Sequence, residues 1–113
     1  MELLLIILNK EEYFERLTWI LTECGVSGAT IMDSEGLGHF LAYEVPIFAG
    51  LRQFVGERKT ANRIILAILG DKSIFPKIKK LLAEEEIDFS KPGTGIITRL
   101  PVNEVIKSDE ELG

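Results

Sequence analysis

The chain has little of what builds chemistry on its own. Among its 113 residues there is one cysteine and one histidine. Cys24 alone forms no internal disulfide, and His39 without a His/Cys cluster leaves no metal constellation of ordinary spacing. Cys24 falls on an apolar helical stripe and reads as a small reduced core residue. Basic residues are also few: 13 Lys and Arg against 18 Asp and Glu give a net charge of −5. A phosphate backbone requires a basic face, so nucleic acid is not an expected partner. No apolar run approaches the roughly 20 residues of a membrane span. The run Leu3 to Leu8 has no basic region before it and is too short for a signal peptide. A cytoplasmic protein that is not itself membrane-embedded is therefore expected.

What the chain does have is aliphatic side chains in short blocks. With 46% hydrophobic residues it is the size of a single domain, 1–113, with one core. Glu2 to Leu8 reads as a buried strand. Asn9 and Glu12 have the spacing of a capping box for a helix on which Tyr13, Leu17, Ile20, Leu21 and Cys24 form one stripe, and Gly25 supplies its left-handed end. Ala29 to Ser34 and the isoleucine-rich Arg63 to Leu69 read as the second and third strands. Ser73 opens a second helix, with Pro76 tolerated in its first turn and Ile74, Phe75, Ile78, Leu81 and Leu82 as its apolar stripe. Gly95 to Leu100 is the fourth strand, ended by Pro101. The order β-α-β-β-α-β predicts an α+β, ferredoxin-like antiparallel sheet with both helices on one face.

That arrangement leaves the other face of the sheet bare. A face turned to water makes a strand alternate apolar and polar, yet Leu3 to Leu8 and Ile64 to Leu69 scarcely alternate. The economical cover is a second copy of the same surface, so a homo-oligomer is expected, with a covering loop, or a strand that is not one, as the other solutions.

Residues Gly36 to Asn62 form a connection far longer than a hairpin needs. Leu37, Phe40, Leu41, Tyr43, Val45, Ile47, Phe48, Leu51, Phe54 and Val55 make it too apolar for a solvated linker. Two readings stand. The segment folds onto its own subunit or a neighbour, with a short helix around Leu51 to Lys59. Alternatively, it is a ligand-gated arm whose Phe40, Tyr43, Phe48, Arg52 and Phe54 anchor a partner protein.

The stretch Gly25-Val26-Ser27-Gly28-Ala29-Thr30-Ile31-Met32-Asp33-Ser34-Glu35-Gly36-Leu37-Gly38 resembles the helix exit, second strand and loop entry of the PII nitrogen-regulatory signal proteins. Pro101-Val102-Asn103-Glu104-Val105-Ile106 is similar to that family's closing strand end, and Gly93-Thr94-Gly95 sits where the family has a glycine-rich phosphate turn. The resemblance covers most of the chain. It implies a homotrimer that binds a small effector, an adenine nucleotide in the family, at clefts between subunits. It also implies that residues 37–61 correspond to the T-loop, which reports the effector to a protein target such as an enzyme, transporter or regulator in nitrogen or carbon metabolism. Carried over by position, Thr30 matches the threonine near the base. Gly36, Gly38, Gly93 and Gly95 match backbone positions at the phosphates, where backbone amides cradle an anion; plain loop geometry is the other reading of both glycine pairs.

The charged part departs from the family. His39 and Phe40 stand where PII has an arginine and a glutamine, Ile96 replaces a lysine, and of two late arginines one aligns with Lys107 and the other with Asp109. A planar guanidinium is poorly replaced by lysine and not at all by aspartate. Lys91, Arg99, Arg58 and Lys59 are the cations left to supply charge from other directions. The pattern is similar to the broader PII-like group, whose members keep the trimeric core and sense mono- or diphosphate nucleotides, cyclic nucleotides or bicarbonate. No tyrosine lies at the middle of the loop, so uridylylation is not implied. His39 reads as a loop residue or as a ligand contact, and the nucleotide-site residues are Thr30, Gly36, Gly38, His39, Gly93, Gly95 and Lys107. The acidic end 108–113 reads as a frayed tail.

Enzymatic readings fare worse. Acylphosphatase shares the topology but needs an arginine in the loop after the first strand, where this chain has Asn9-Lys10-Glu11-Glu12. RNA-recognition domains display strand aromatics in basic surroundings, which are missing here. The expectation is a non-catalytic sensor that requires no cofactor, with a ligand-free structural or adaptor oligomer of the same fold as the alternative.

Overall fold

The structure is a computed structural model that describes residues 1–56 and 62–108. Four strands, β1 (Glu2–Leu8), β2 (Thr30–Ser34), β3 (Asn62–Leu69) and β4 (Gly95–Pro101), form one sheet in the order β2-β3-β1-β4. All three pairings are antiparallel, with Leu5 opposite both Leu66 and Thr98 at the centre and Thr30 opposite Leu66 at one edge. Two helices, α1 (Phe14–Glu23) and a longer one at Ile74–Glu84, cover one face. The ferredoxin-like α+β sheet expected from the sequence is what forms.

Alternation of side chains across the pleat decides where the core lies. Leu4, Ile6 and Leu8 of β1 and Ile65, Ala67 and Leu69 of β3 are buried against Leu17, Ile20, Leu21 and Cys24 of α1 and Ile78 and Leu82 of the second covering helix. The alternate residues, Leu3, Leu5, Ile7, Ile64, Leu66 and Ile68, lie on the opposite face, are only half-buried and take no part in that core. Ile96 and Leu100 of β4 and Met32 of β2 extend this aliphatic face and are exposed. Covering each partly buried side chain fully contributes on the order of 1 kcal/mol.

α1 ends as its sequence predicts. Gly25 takes φ +85°, its N–H donates to Thr22 C=O at 3.1 Å, and Val26 N–H donates to Leu21 C=O at 2.9 Å. This is the paired Schellman closure. The helix start differs from expectation. A 3-10 turn, Glu11–Tyr13, precedes α1 and is capped by Lys10 without a side-chain bond. Asn9 belongs instead to the sheet end, where its N–H donates to Thr94 C=O at 2.9 Å. That backbone bond takes the Asn9 N–H to which a capping box would have brought the Glu12 side chain.

The connection between β2 and β3 is not an open loop over its described part. It folds into α2 (Leu37–Glu44), a 3-10 segment (Pro46–Leu51) and α3 (Arg52–Val55), so the helix at Ile74–Glu84 is α4. The short helix expected around Leu51 to Lys59 is found over Arg52–Val55 and ends at Gly56, with φ +75°. Residues 57–59 of that expectation lie outside the described residues, as does the acidic tail beyond Ser108.

The helix-side edge of the sheet is closed by cations over aromatic rings. Arg63 of β3 stacks on Phe14 at 4.5 Å, donates to both Glu11 carboxylate oxygens at 2.9 and 3.1 Å, and stands 3.3 Å from Asp33. Arg99 of β4 stacks on Phe75 at 4.7 Å and pairs with Glu2 at 3.3 Å. The hydrogen bond from Arg63 holds the Glu11 carboxyl below the usual glutamate range. A depressed carboxylate stabilises the fold above its unfolded value and loses that contribution as pH falls through the folded one. Glu11→Gln is expected to lower Tm at neutral pH, with the deficit against the parent closing as pH drops below about 4. Thermal melts of both proteins from neutral to acid pH check this.

Candidate functional site

The residues that sequence reasoning gathered into one site fall in three places on a single chain. β2 runs parallel to β1, so Gly36, Gly38 and His39 follow its exit at the end of the sheet where Leu8 pairs with Gly95. Gly93 and Gly95 lie at that same end. They belong to the opposite edge, however, because β3 and β1 stand between β2 and β4. Three strand spacings separate the two edges by roughly 14 Å. Lys107 is at the other end of the sheet, lining a cavity of about 430 Å³ with Gly25, Val26, Ser27, Gly28, Gly70 and Ile74. Thr30 follows Gly28 closely and, by its pairing with Leu66, faces the bare side of the sheet.

The first glycine pair opens a helix. Gly36 is the N-cap of α2 with extended backbone and no side-chain capping bond, and its C=O accepts from Phe40 N–H at 3.0 Å. The amides of the first turn are thus without an intrahelical partner, an arrangement that favours an anion. His39 folds back over this turn, with Nδ1 3.9 Å from where a Cβ on Gly36 would stand. Its Nε2 is buried and has no hydrogen-bond partner among the described residues. A buried, unpartnered ring nitrogen carries a desolvation cost that a partner would relieve. Gly38 has a packing reason of its own, since a Cβ there would meet Val55 Cγ1 of α3 at 3.3 Å.

The second pair is a turn tied to the end of β1. Thr94 is buried and its C=O takes the Asn9 N–H, while its own N–H donates to Lys91 C=O at 3.3 Å. Gly93 has φ +84° and Gly95 φ +134°, both outside the range that L side chains prefer. A Cβ on Gly95 would lie 1.9 Å from Ile7 C=O, so β4 approaches β1 there more closely than any other residue permits. Sequence reasoning passed over Thr94. Its signal was a threonine held between two glycines directly before a strand.

Cations proposed to supply missing charge are differently placed. Arg99 is engaged by Glu2 and Phe75, as described above. Lys91 borders a groove of about 890 Å³ with Tyr13, Ile87, Phe89 and Ile97 on the helix side. Arg58 and Lys59 lie outside the described residues. Among the described residues, no group of three or more His, Cys, Asp or Glu could hold a metal ion. Nor is any described helix long and apolar enough to cross a membrane.

The segment 37–56 packs on itself. Ala42 is fully buried, and its C=O accepts from Arg52 Nε at 2.8 Å. The Arg52 guanidinium lies 4.8 Å from the Tyr43 ring centre, and the Tyr43 hydroxyl donates to Gly56 C=O at 2.7 Å. Two of the five candidate anchors, Tyr43 and Arg52, therefore hold the segment together from within. The other three, Phe40, Phe48 and Phe54, are exposed, Phe54 at 82%. Leu37 and Ile47, which were not singled out, are exposed at 72% and 84%.

This fold has a match among solved structures. PII from Arabidopsis thaliana, bound to citrate, superposes with a TM-score of 0.58 at 19% identity, over 97% of this chain and 84% of that one. The shared fold is that of a PII protein. No protein-family model matches the chain, and no curated protein does.

Two substitutions test what these residues do. Gly95→Ala is expected to destabilise the fold by about 3 kcal/mol or more, because a methyl group would stand 1.9 Å from the Ile7 carbonyl oxygen, on central-strand backbone that cannot move aside. Chemical denaturation reads this, and near-parental stability would free Gly95 for a purely ligand-facing role. Arg52→Ala removes the bond to Ala42 C=O and the stack on Tyr43, a local loss of about 1–2 kcal/mol. Limited proteolysis is expected to cut within 45–55 several times faster while the Tm of the core stays unchanged.

Proposed function

We propose that this chain is a non-catalytic PII-like sensor: one domain, cytoplasmic, assembled as a homotrimer through its bare sheet faces. A small anionic effector, an adenine nucleotide before others, binds at clefts between copies, and segment 37–61 reports it to a protein target. The observation that carries this reading is the split site. Two glycine turns stand at the same end of one sheet on opposite edges, so only a neighbouring copy can bring the Gly36 turn of one chain against the Gly93 turn of another. The aliphatic face of Leu3, Leu5, Ile7, Ile64, Leu66 and Ile68 gives such copies a reason to meet. At that cleft the open first turn of α2 favours negative charge and His39 Nε2 offers a polar partner. Citrate on the Arabidopsis protein supports a small multiply charged anion as the effector class. Nitrogen or carbon metabolism is the setting that the shared fold suggests.

A second reading is favoured by a specific observation. Packing explains Gly38 and Gly95 without any ligand, and segment 37–56 is already folded, as a ligand-free adaptor oligomer would have it. Native mass spectrometry with ATP, ADP, AMP, cyclic AMP and citrate separates the two. The sensor reading expects a trimer that takes up as many as three copies of one compound and whose segment 37–61 changes protease sensitivity when it does. A trimer that ignores all five assigns the adaptor role, and a monomer overturns both.

A further inference from the structure

The helical layer carries a feature that the sensor reading does not use. Trp19 is 50% exposed on the side of α1 opposite its buried stripe of Leu17, Ile20 and Leu21. Glu15 and Glu12 lie one and two turns before it, on the same face. A surface depression of about 410 Å³ is walled by Trp19, Glu12, Glu15, Arg16 and, from the end of α4, Glu85. Arg16 does not neutralise the carboxylates beside Trp19. Its guanidinium donates to Glu85 C=O at 3.0 Å, stands 3.9 Å from the Glu85 carboxylate and packs 5.1 Å from the Tyr13 ring centre. Glu12 and Glu15 make no ion pair among the described residues.

An open indole beside two unpaired carboxylates selects one kind of occupant. The face of the ring carries partial negative charge and attracts a cation, and the carboxylates add to the attraction. An anion is repelled, and a purely apolar side chain would desolvate Glu12 and Glu15 without returning anything to them. Between the two cationic side chains, guanidinium fits better than ammonium: it is planar, weakly hydrated, stacks flat on indole and forks onto a carboxylate. The net charge of −5 steers a basic partner toward the chain. The surface is on the helix side of the sheet, away from the aliphatic face on which copies are proposed to meet, so it does not depend on that assembly. We infer that Trp19, Glu12 and Glu15 form a docking surface for an arginine-bearing basic segment of a partner protein.

Trp19 is the only tryptophan in the chain, so its emission reports occupancy directly. The full chain is titrated with an acetylated, amidated peptide of alternating arginine and glycine, and with its lysine counterpart. The expected result is a saturable change in Trp19 emission, with the lysine peptide bound about threefold or more weaker. Glu12→Gln combined with Glu15→Gln is expected to weaken the arginine peptide by about threefold or more, while Glu104→Gln, elsewhere on the surface, leaves it unchanged. Far-UV circular dichroism establishes that each variant is folded. Four results overturn the inference: no saturable emission change, equal affinity for the lysine peptide, the same loss in Glu104→Gln, or unchanged affinity in the double variant. Emission that shifts with protein concentration alone would place a second copy on this surface and overturn it as well.

Discussion

The central strands β1 and β3 are aliphatic on both faces, and the helices α1 and α4 cover only one of them. Antiparallel register puts Leu3, Leu5 and Ile7 beside Ile68, Leu66 and Ile64, forming a continuous apolar surface on the side away from the core. Edge strands continue it, with Met32 on one side and Ile96 and Leu100 on the other. Polar closure is confined to the helix side, where Arg63 and Arg99 lie over Phe14 and Phe75 and hold acidic partners. The asymmetry divides the molecule into a side finished within the chain and a side that another surface must complete. The proposed oligomer follows from it, while the strand order sets the two glycine turns on opposite edges.

The inserted segment obeys a different rule. Among its described residues only Ala42 is buried, so its apolar side chains make no second core there. A small polar and aromatic knot among those residues ties it together, Arg52 to the Ala42 carbonyl, Arg52 over Tyr43, and Tyr43 to the Gly56 carbonyl. Such a unit has few buried contacts and so a low opening free energy relative to the sheet. That combination suits the proposed reporter role, in which a bound effector would bias the segment's conformation. Exposed Leu37, Ile47 and Phe54 give the formed state something to present.

The glycines show why a motif and its geometry are separate kinds of evidence. Gly36-Leu37-Gly38 and Gly93-Thr94-Gly95 look alike as text. In space, Gly36 caps a helix, Gly38 lets α3 approach α2, Gly93 turns the chain through positive φ, and Gly95 lets β4 lie against Ile7. At the first turn of α2 the amides have no intrahelical partner, whereas at the second turn the Thr94 N–H is taken by the Lys91 carbonyl.

By itself the sequence determined the four strands, the two covering helices, their buried stripes and the surplus of apolar surface. These are written in local periodicity: burial on one face recurs every second residue in a strand and every third or fourth in a helix, whatever lies far along the chain. Gly25 as a helix end was legible for the same reason, because positive φ is a local demand. Tertiary structure alone decided the rest. α2 was hidden because glycines at 36 and 38 read locally as a turn, whereas in space Val55 and Arg52, brought back from later in the chain, pack on Gly38 and bond the Ala42 carbonyl. Asn9 was a good cap in isolation, yet the Thr94 carbonyl claimed its amide. Tyr43 and Arg52 read from the sequence as partner anchors, and the fold also turns them toward each other, since which partner a side chain meets depends on contacts that no local pattern encodes.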